Sequence, residues 1–357
     1  MDQIDTRRTI NYIRGVAIGL VIIAHFGGYY YGYYNENRLG IFVNAVSLFF
    51  VVSGFGIYHT LEKNFTEHGI NFRTVIGFFV ARYAKILPIY WLALAVYLYI
   101  EPQWYSLDGF SLLTLGELLL VPLKPAPGIM WFFTSLFHCY LWAPLLYLII
   151  KKLQPRSFFF AVIGVIGLFL PVSYWFVHFH AEYLPGAYEY FYRDFFMANV
   201  IIFSLGMLIP PLIATYPDRF KNRFAGLSLL AGYLAFAAIT RFPSDQPLKT
   251  IPFILLNFGL CLYAVSINPR LPLSRPVTLM GRYSLSLFLF HAAYFVLFKQ
   301  LGLLEQYNVF GVMLTLLLFP YFLLSCIFIQ DFFLRRYRGF MAWYQPHFGF
   351  HRPVRGS

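Results

Sequence analysis

Stretch after stretch of this chain runs for about twenty residues with almost no charge, the length at which a helix crosses the 30 Å hydrocarbon core of a bilayer. Within lipid, backbone N–H and C=O groups must be satisfied inside the segment, so such stretches are read as helices. Ten of them stand out, about Ile10 to Tyr31, Gly40 to Leu61, Val75 to Ile100, Ile129 to Ile150, Phe158 to His178, Phe195 to Ile213, Phe224 to Arg241, Thr250 to Asn268, Thr278 to Gln300 and Val309 to Leu334. A shorter apolar run from Leu112 to Val121 reads as re-entrant or interfacial. With 59% hydrophobic and 12% charged residues in 357, a soluble domain is excluded. The expectation is an all-α, polytopic transmembrane helix bundle of about ten helices.

Basic residues set the orientation, because short loops rich in Lys and Arg stay cytoplasmic. Arg7, Arg8, Lys63, Arg73, Arg82, Lys85, Lys151, Lys152, Arg156, Arg219, Lys221, Arg223, Arg270, Arg275, Arg282 and the arginines after Leu334 fall on one side of the expected topology. Only Arg38, Lys124, Arg193, Arg241, Lys249 and Lys299 fall on the other. This places both termini in the cytoplasm. It also accounts for the net charge of +12 without nucleic acid, since the cations are spread over successive loops and form no binding module. The N-terminus lacks a cleavable signal pattern, so the first helix is expected to stay. No charged linker or internal repeat divides the chain. Residues 1–335 therefore read as a single membrane domain, and 336–357 as a basic, aromatic cytoplasmic tail lying on the anionic inner leaflet. Cys139, Cys261 and Cys326 are isolated in apolar segments and read as packing residues.

Ionisable residues inside a span are costly and mark functional sites. Arg14 and His25 share the first span, and their eleven-residue separation is about three helical turns, which sets them on one face roughly 16 Å apart. Each also has a plain reading: the arginine snorkels to lipid phosphates, and the histidine bonds a neighbouring helix. Arg82 and Lys85, three apart at the cytoplasmic end of the third span, share one face. Ser53 and Gly54 are small enough for a helix or ligand to approach closely. The loop FHAEYLPGAYEYFYRD (179–194) mixes aromatic rings, Tyr188 among them, with Glu182, Glu189 and Asp194, which suits stacking on sugar faces and accepting hydrogen bonds from hydroxyls, or an interfacial aromatic belt. His178, His180 and Glu182 form the only cluster resembling metal ligands, with no fourth ligand evident, and no metal is expected.

Three segments carry a specific resemblance: YIRGVAIGLVIIAH (12–25), FFVVSGF (49–55), and Arg82 to Lys85 followed by Ile86, Pro88 and Tyr90. WFFTSLFHCYLWAP (131–144) and GRYSLSLFLFH (281–291) match more loosely. Together they resemble the acyltransferase type-three family of integral-membrane O-acyltransferases. Two departures are evident. Lys85 stands where the family commonly has a second arginine, and Leu136, Phe137 and His138 occupy the stretch after Trp131 where many members carry a glutamate.

The resemblance implies transfer of an acyl group, usually acetyl from acetyl-CoA, to a hydroxyl of a surface or exported polysaccharide or its lipid-linked precursor, in a bacterial inner membrane. Arg14, Arg82, Lys85 and Arg282 are then candidates to hold the CoA phosphates. His25 is the candidate general base or transient acyl carrier, and Ser53, Tyr29 and Tyr90 are candidate oxyanion donors. Trp131, Glu182, Tyr188, Glu189 and His291 are candidates for the acceptor side, His291 also reading as a core histidine bonded to a backbone carbonyl. Two competing readings are a glycan transporter or flippase using the same Arg and His, and a structural subunit of an export complex.

Overall fold

The computed structural model describes residues 3–31, 45–102, 115–116, 118–120, 128–153, 160–168, 196–222, 226–228, 230–232, 247–267, 274–304 and 308–347. These residues are mostly helical and contain no strand. In chain order the long elements are α1 (Gln3–Tyr31), α2 (Ala45–His68), α3 (Phe72–Ile100), α4 (Trp131–Lys152), α5 (Phe196–Thr215), α6 (Pro247–Ile267), α7 (Ser274–Arg282), α8 (Ser284–Gln300) and α9 (Val309–His347). Among the described residues, five helices, α1 to α4 and α9, are long and apolar enough to cross a membrane, and α7 with α8 supply a sixth if the bent pair is one span. The apolar segments at 199–215 and 254–267 are shorter. Much of the expected spans at Phe158 to His178 and Phe224 to Arg241 lies outside the described residues.

Two helix crossings bring backbones into direct contact through glycine. A Cβ built on Gly15 of α1 would lie 1.9 Å from the Val277 carbonyl oxygen of α7, and one on Gly281 of α7 would lie 1.6 Å from the Asn11 oxygen of α1. Likewise α2 meets α5 where Gly54 faces the Phe203 oxygen and Gly206 faces the Val51 oxygen, each 2.1 Å from a hypothetical Cβ. Lipid tails are as apolar as leucine, so close van der Waals packing of small residues is what holds helices together in a membrane. Ser53 and Gly54 are thus adjacent with different duties: Gly54 makes the crossing, and Ser53 faces a cavity described below.

The α2–α3 turn is fixed locally. Gly69 takes the left-handed φ of +73°, and Asn71 caps α3 by accepting from Thr74 N–H at 3.0 Å. From Phe132 to Tyr140, α4 is buried on every side. By contrast α9 packs along one stripe and exposes side chains such as Phe328, 74% accessible, as expected of a lipid-facing helix. It runs 39 residues without interruption, so residues 336–347 continue it as helix.

The sequence reads Thr278 to Gln300 as one span, but the structure bends by 84° between α7 and α8. The cause is polar. Helix α7, SRPVTLMGR, is strongly amphipathic and lies against α1, so hydropathy alone misplaces it. Polar residues of α9 hold the corner: Gln330 Oε1 accepts from Ser286 N–H and Oγ, both at 3.1 Å, and Gln330 Nε2 donates to the Arg282 carbonyl at 2.9 Å. Tyr283 donates to Asp331 at 3.1 Å. Gln330→Leu strands these buried partners, a cost of about 1–3 kcal/mol for an unsatisfied group. The variant is expected to unfold at a lower temperature than wild type in a detergent melt followed by intrinsic fluorescence.

Candidate active site

A cavity of about 1410 Å³ opens between α1, α2, α3, α4, α8 and α9. Its cations come from separate elements: Arg7 and Arg14 from α1, Lys63 from α2, Arg82 and Lys85 from α3, Arg282 from the α7–α8 corner and Arg338 from α9. Its deep wall is aromatic, made by Phe49, Phe132, Phe133 and Phe288, whose rings contact one another at centroid distances of 4.6 to 5.8 Å. The cavity thus has one charged end and one apolar end.

The two carboxylates that line it, Glu62 and Glu67, are already engaged. Glu62 accepts a hydrogen bond from Tyr147 and lies 3.6 Å from Lys151, and Glu67 lies 3.9 Å from Lys63. Arg7, Arg14, Arg82, Lys85, Arg282 and Arg338 have no carboxylate within ion-pair distance among the described residues. Arg82 donates to Thr60 Oγ1 at 2.8 Å, and Thr60 passes the chain on to the Gly56 carbonyl at 2.9 Å. Its guanidinium also rests over the Phe78 and Tyr140 rings at 5.5 and 5.8 Å. Arg14 lies beside Gly56, its Nη2 at 3.9 Å from where a Cβ would stand, an ordinary van der Waals distance. Clustered like charges repel, so such an arrangement is stabilised by an anion that bonds several of them at once.

His25 lies on the same helix as Arg14, toward its other end, and is not among the residues lining the cavity. Its Nδ1 is 2.9 Å from the Val21 carbonyl oxygen. A carbonyl only accepts, so Nδ1 carries the proton and Nε2 keeps its lone pair. The His25 ring meets His291 edge to face at 4.7 Å, and His291 contacts Phe288 at 5.6 Å, the same phenylalanine that closes the deep end of the cavity. A chain of ring contacts therefore leads from the cavity to His25.

Of the residues singled out from sequence, Arg14, Ser53, Arg82, Lys85 and Arg282 come together around this one cavity. His25 and His291 form a separate pair beyond Phe288. Tyr90 is buried, 1% accessible, and packs on Phe133, while Trp131 sits at the start of α4 against Phe132; neither lines the cavity. Tyr29 packs near Phe295 at 6.0 Å. Glu182, Tyr188 and Glu189, with the loop that holds them, lie outside the described residues, as do His178 and His180. No group of three metal-ligating side chains occurs among the described residues. Cys139, Cys261 and Cys326 are buried and free.

Arg7, Lys63 and Arg338 were legible only as loop cations that set topology. Arg7 stands two turns before Arg14 on α1, whereas nothing in the spacing of Lys63 or Arg338 brings them to Arg14, because they sit on α2 and α9, far away in sequence.

Residues 7–331 match a family model described as an acyltransferase domain. Comparisons with curated proteins and with solved structures give no match. The matched region holds Arg14, His25, Ser53, Arg82, Lys85, Arg282 and His291, which is most of the cavity lining and both histidines of the pair, and leaves out residues 1–6 and those after 331, Arg338 among them. The chain belongs to the acyltransferase type-three family of membrane O-acyltransferases.

Proposed function

We propose that this protein moves an acyl group, acetyl by preference, from acyl-CoA to a hydroxyl of a surface or exported polysaccharide or of its lipid-linked precursor, within a bacterial inner membrane. The observation that carries this reading is the cavity with aromatic rings at one end and, at the other, cations of which Arg14, Arg82, Lys85 and Arg282 have no carboxylate partner among the described residues. Coenzyme A has the matching polarity: phosphates at one end, and a thioester on a long flexible arm at the other.

In this reading Arg14, Arg82, Lys85 and Arg282 hold phosphate oxygens through charge-assisted hydrogen bonds, and the arm runs along Phe49, Phe132 and Phe133 toward Phe288. Ser53, lining the same cavity, is a donor available to the thioester oxygen. His25 Nε2, its lone pair free because Nδ1 is spent on Val21, takes the proton of the acceptor hydroxyl. The oxygen attacks the thioester carbon, the C–S bond breaks, and the thiolate leaves.

Arg82 is expected to bind rather than to react. Losing one charge-assisted hydrogen bond costs about 1.5–3 kcal/mol, so Arg82→Ala should raise the KM for acetyl-CoA by roughly 10- to 100-fold with a smaller change in kcat. Steady-state kinetics over a range of donor concentration checks this.

The function is tested by free-thiol release from acetyl-CoA by purified protein in detergent, with a crude surface-glycan extract as acceptor and no ion gradient. Release that depends on the extract supports the transferase. A folded sample that neither binds nor cleaves several acyl-CoAs contradicts it and favours a transport role for the same residues.

A further inference from the structure

Helix α9 does not end where the family match ends. It runs on past Asp331 to His347 without a break, and Leu334, Tyr337 and Arg338 of this continuation line the cavity. Their spacing explains why. Gln330, also in the lining, is fixed by its bonds to Ser286 and to the Arg282 carbonyl, and positions four, seven and eight residues further on share its helical face. Arg335 and Arg336 do not line the cavity, and Arg336 rests over the Phe332 ring at 5.4 Å. One arginine of the three is thus turned to the cavity. Its Nε–H meets the Leu334 carbonyl of its own helix at 3.3 Å, and no carboxylate lies within ion-pair distance of it among the described residues.

The cavity cations are spread along its axis. Helices α1 and α2 run in opposite directions: Arg14 lies beside Gly56, and toward the deep end His25 is joined to Phe49 through the rings of His291 and Phe288. Arg7, seven residues before Arg14, and Lys63, seven residues after Gly56, therefore both stand roughly 10 Å further toward the mouth by helical rise. Helix α9 joins them there. Tyr294, past His291 on α8, donates to the Thr315 carbonyl at 2.6 Å, whereas Gln330 bonds the corner where α8 begins. From Thr315 to Gln330 the helix thus leads out of the deep end, and Arg338 follows roughly 12 Å beyond Gln330. Arg7, Lys63 and Arg338 are exposed, while Arg14 and Arg82 are half-buried.

We propose that Arg338, with Arg7 and Lys63, binds the ribose 3′-phosphate of the CoA donor, so that the continuation of α9 past residue 331 is a wall of the donor site. This rests on the reading of the cavity as that site. Coenzyme A carries its thioester at one end, its diphosphate in the middle and the 3′-phosphate on the adenosine at the other end. With the thioester among the deep aromatic rings, Arg14, Arg82 and Lys85 meet the diphosphate, and the 3′-phosphate comes last, at the mouth. A phosphate monoester is close to dianionic at neutral pH, and the planar fork of a guanidinium suits its oxygens. Three cations from three helices are then neutralised by one group. Lys63 also lies 3.9 Å from Glu67, but that pair is exposed, 69% for the lysine side chain, and exchanging it costs little.

The test measures equilibrium binding of CoA and of 3′-dephospho-CoA to full-length protein in lipid-free detergent. Wild type is expected to bind the dephospho form roughly 10- to 100-fold more weakly, the loss of charge-assisted hydrogen bonds to one group. Arg338→Ala is expected to bind CoA roughly 10-fold more weakly and dephospho-CoA as wild type does, which also reports that the variant is folded. Arg336→Ala, whose arginine does not line the cavity, should bind both as wild type does. Arg82→Ala should lose affinity for both alike, because it meets the diphosphate. Equal binding of the two nucleotides by wild type overturns the proposal. So does an unchanged preference in Arg338→Ala, the result expected of an arginine that sits on lipid phosphate, and so does an equal loss of both nucleotides in that variant. Each of these leaves the cavity as the donor site. Folded wild type that binds neither nucleotide removes the donor-site reading, and this inference with it.

Discussion

Purified His25→Ala is expected to release thiol from acetyl-CoA about 10²- to 10⁴-fold more slowly than wild type while still binding the donor, the range typical of a lost general base. The separation of the two effects follows from geometry. The cations line the cavity, whereas His25 does not and reaches it through ring contacts with His291 and Phe288. Removing the imidazole therefore leaves the cationic cavity intact. Its Nδ1–H bond to Val21 lies within its own helix, so little of the bundle depends on it. His25→Gln, closer in volume, should be as slow as alanine, which distinguishes loss of a proton acceptor from loss of packing. A His25→Ala variant that turns over normally would return His25 to the role of a packing residue.

The second large effect concerns the scaffold. Gly281→Val is expected to destabilise the protein by about 3 kcal/mol or more, the upper end of overpacking costs, and to lower the yield of folded material. A Cβ there would meet the Asn11 oxygen at 1.6 Å, the Asn11 carbonyl carbon at 2.6 Å and Gly15 N at 2.7 Å, all of them backbone atoms that cannot swing aside. The α1–α7 crossing would have to open, and Arg14 rides on α1 only one turn from Asn11. Surviving protein should therefore also bind acyl-CoA less tightly. Size-exclusion profiles and a detergent thermal melt read the first effect, and a donor-binding isotherm reads the second. Wild-type stability in Gly281→Val would contradict the packing described here.

The residues that the chain displays most openly are those whose cost is local. Arg14 and His25 stand out because a charge or an imidazole in an apolar run is conspicuous whatever surrounds it, and the three-turn spacing is a property of one helix. The same holds for Arg82 and Lys85, and for the helical class of the whole chain. What stays hidden depends on packing between distant segments. Lys63 and Arg338 look like topology anchors until α2 and α9 are brought beside α1. The pairing of His25 with His291 joins positions 25 and 291 through a crossing that one sequence does not encode visibly. The α7–α8 corner escapes a hydropathy reading because Gln330 and Asp331, which hold it, sit in what reads as an unbroken final span. Phe288 is one aromatic residue among many in sequence, and its place between the cavity and the histidines comes only from the fold.

Equilibrium binding of radiolabelled acetyl-CoA to the purified protein tests the central claim, that the cationic cavity is the donor site. Wild type should bind saturably, free CoA should compete, and added salt should weaken binding as charge contacts are screened. Arg14→Ala and Lys85→Ala should each bind more weakly, and His25→Ala should bind as wild type does. Saturable binding that none of the cavity substitutions alters, or no saturable binding by folded wild type, would contradict the account.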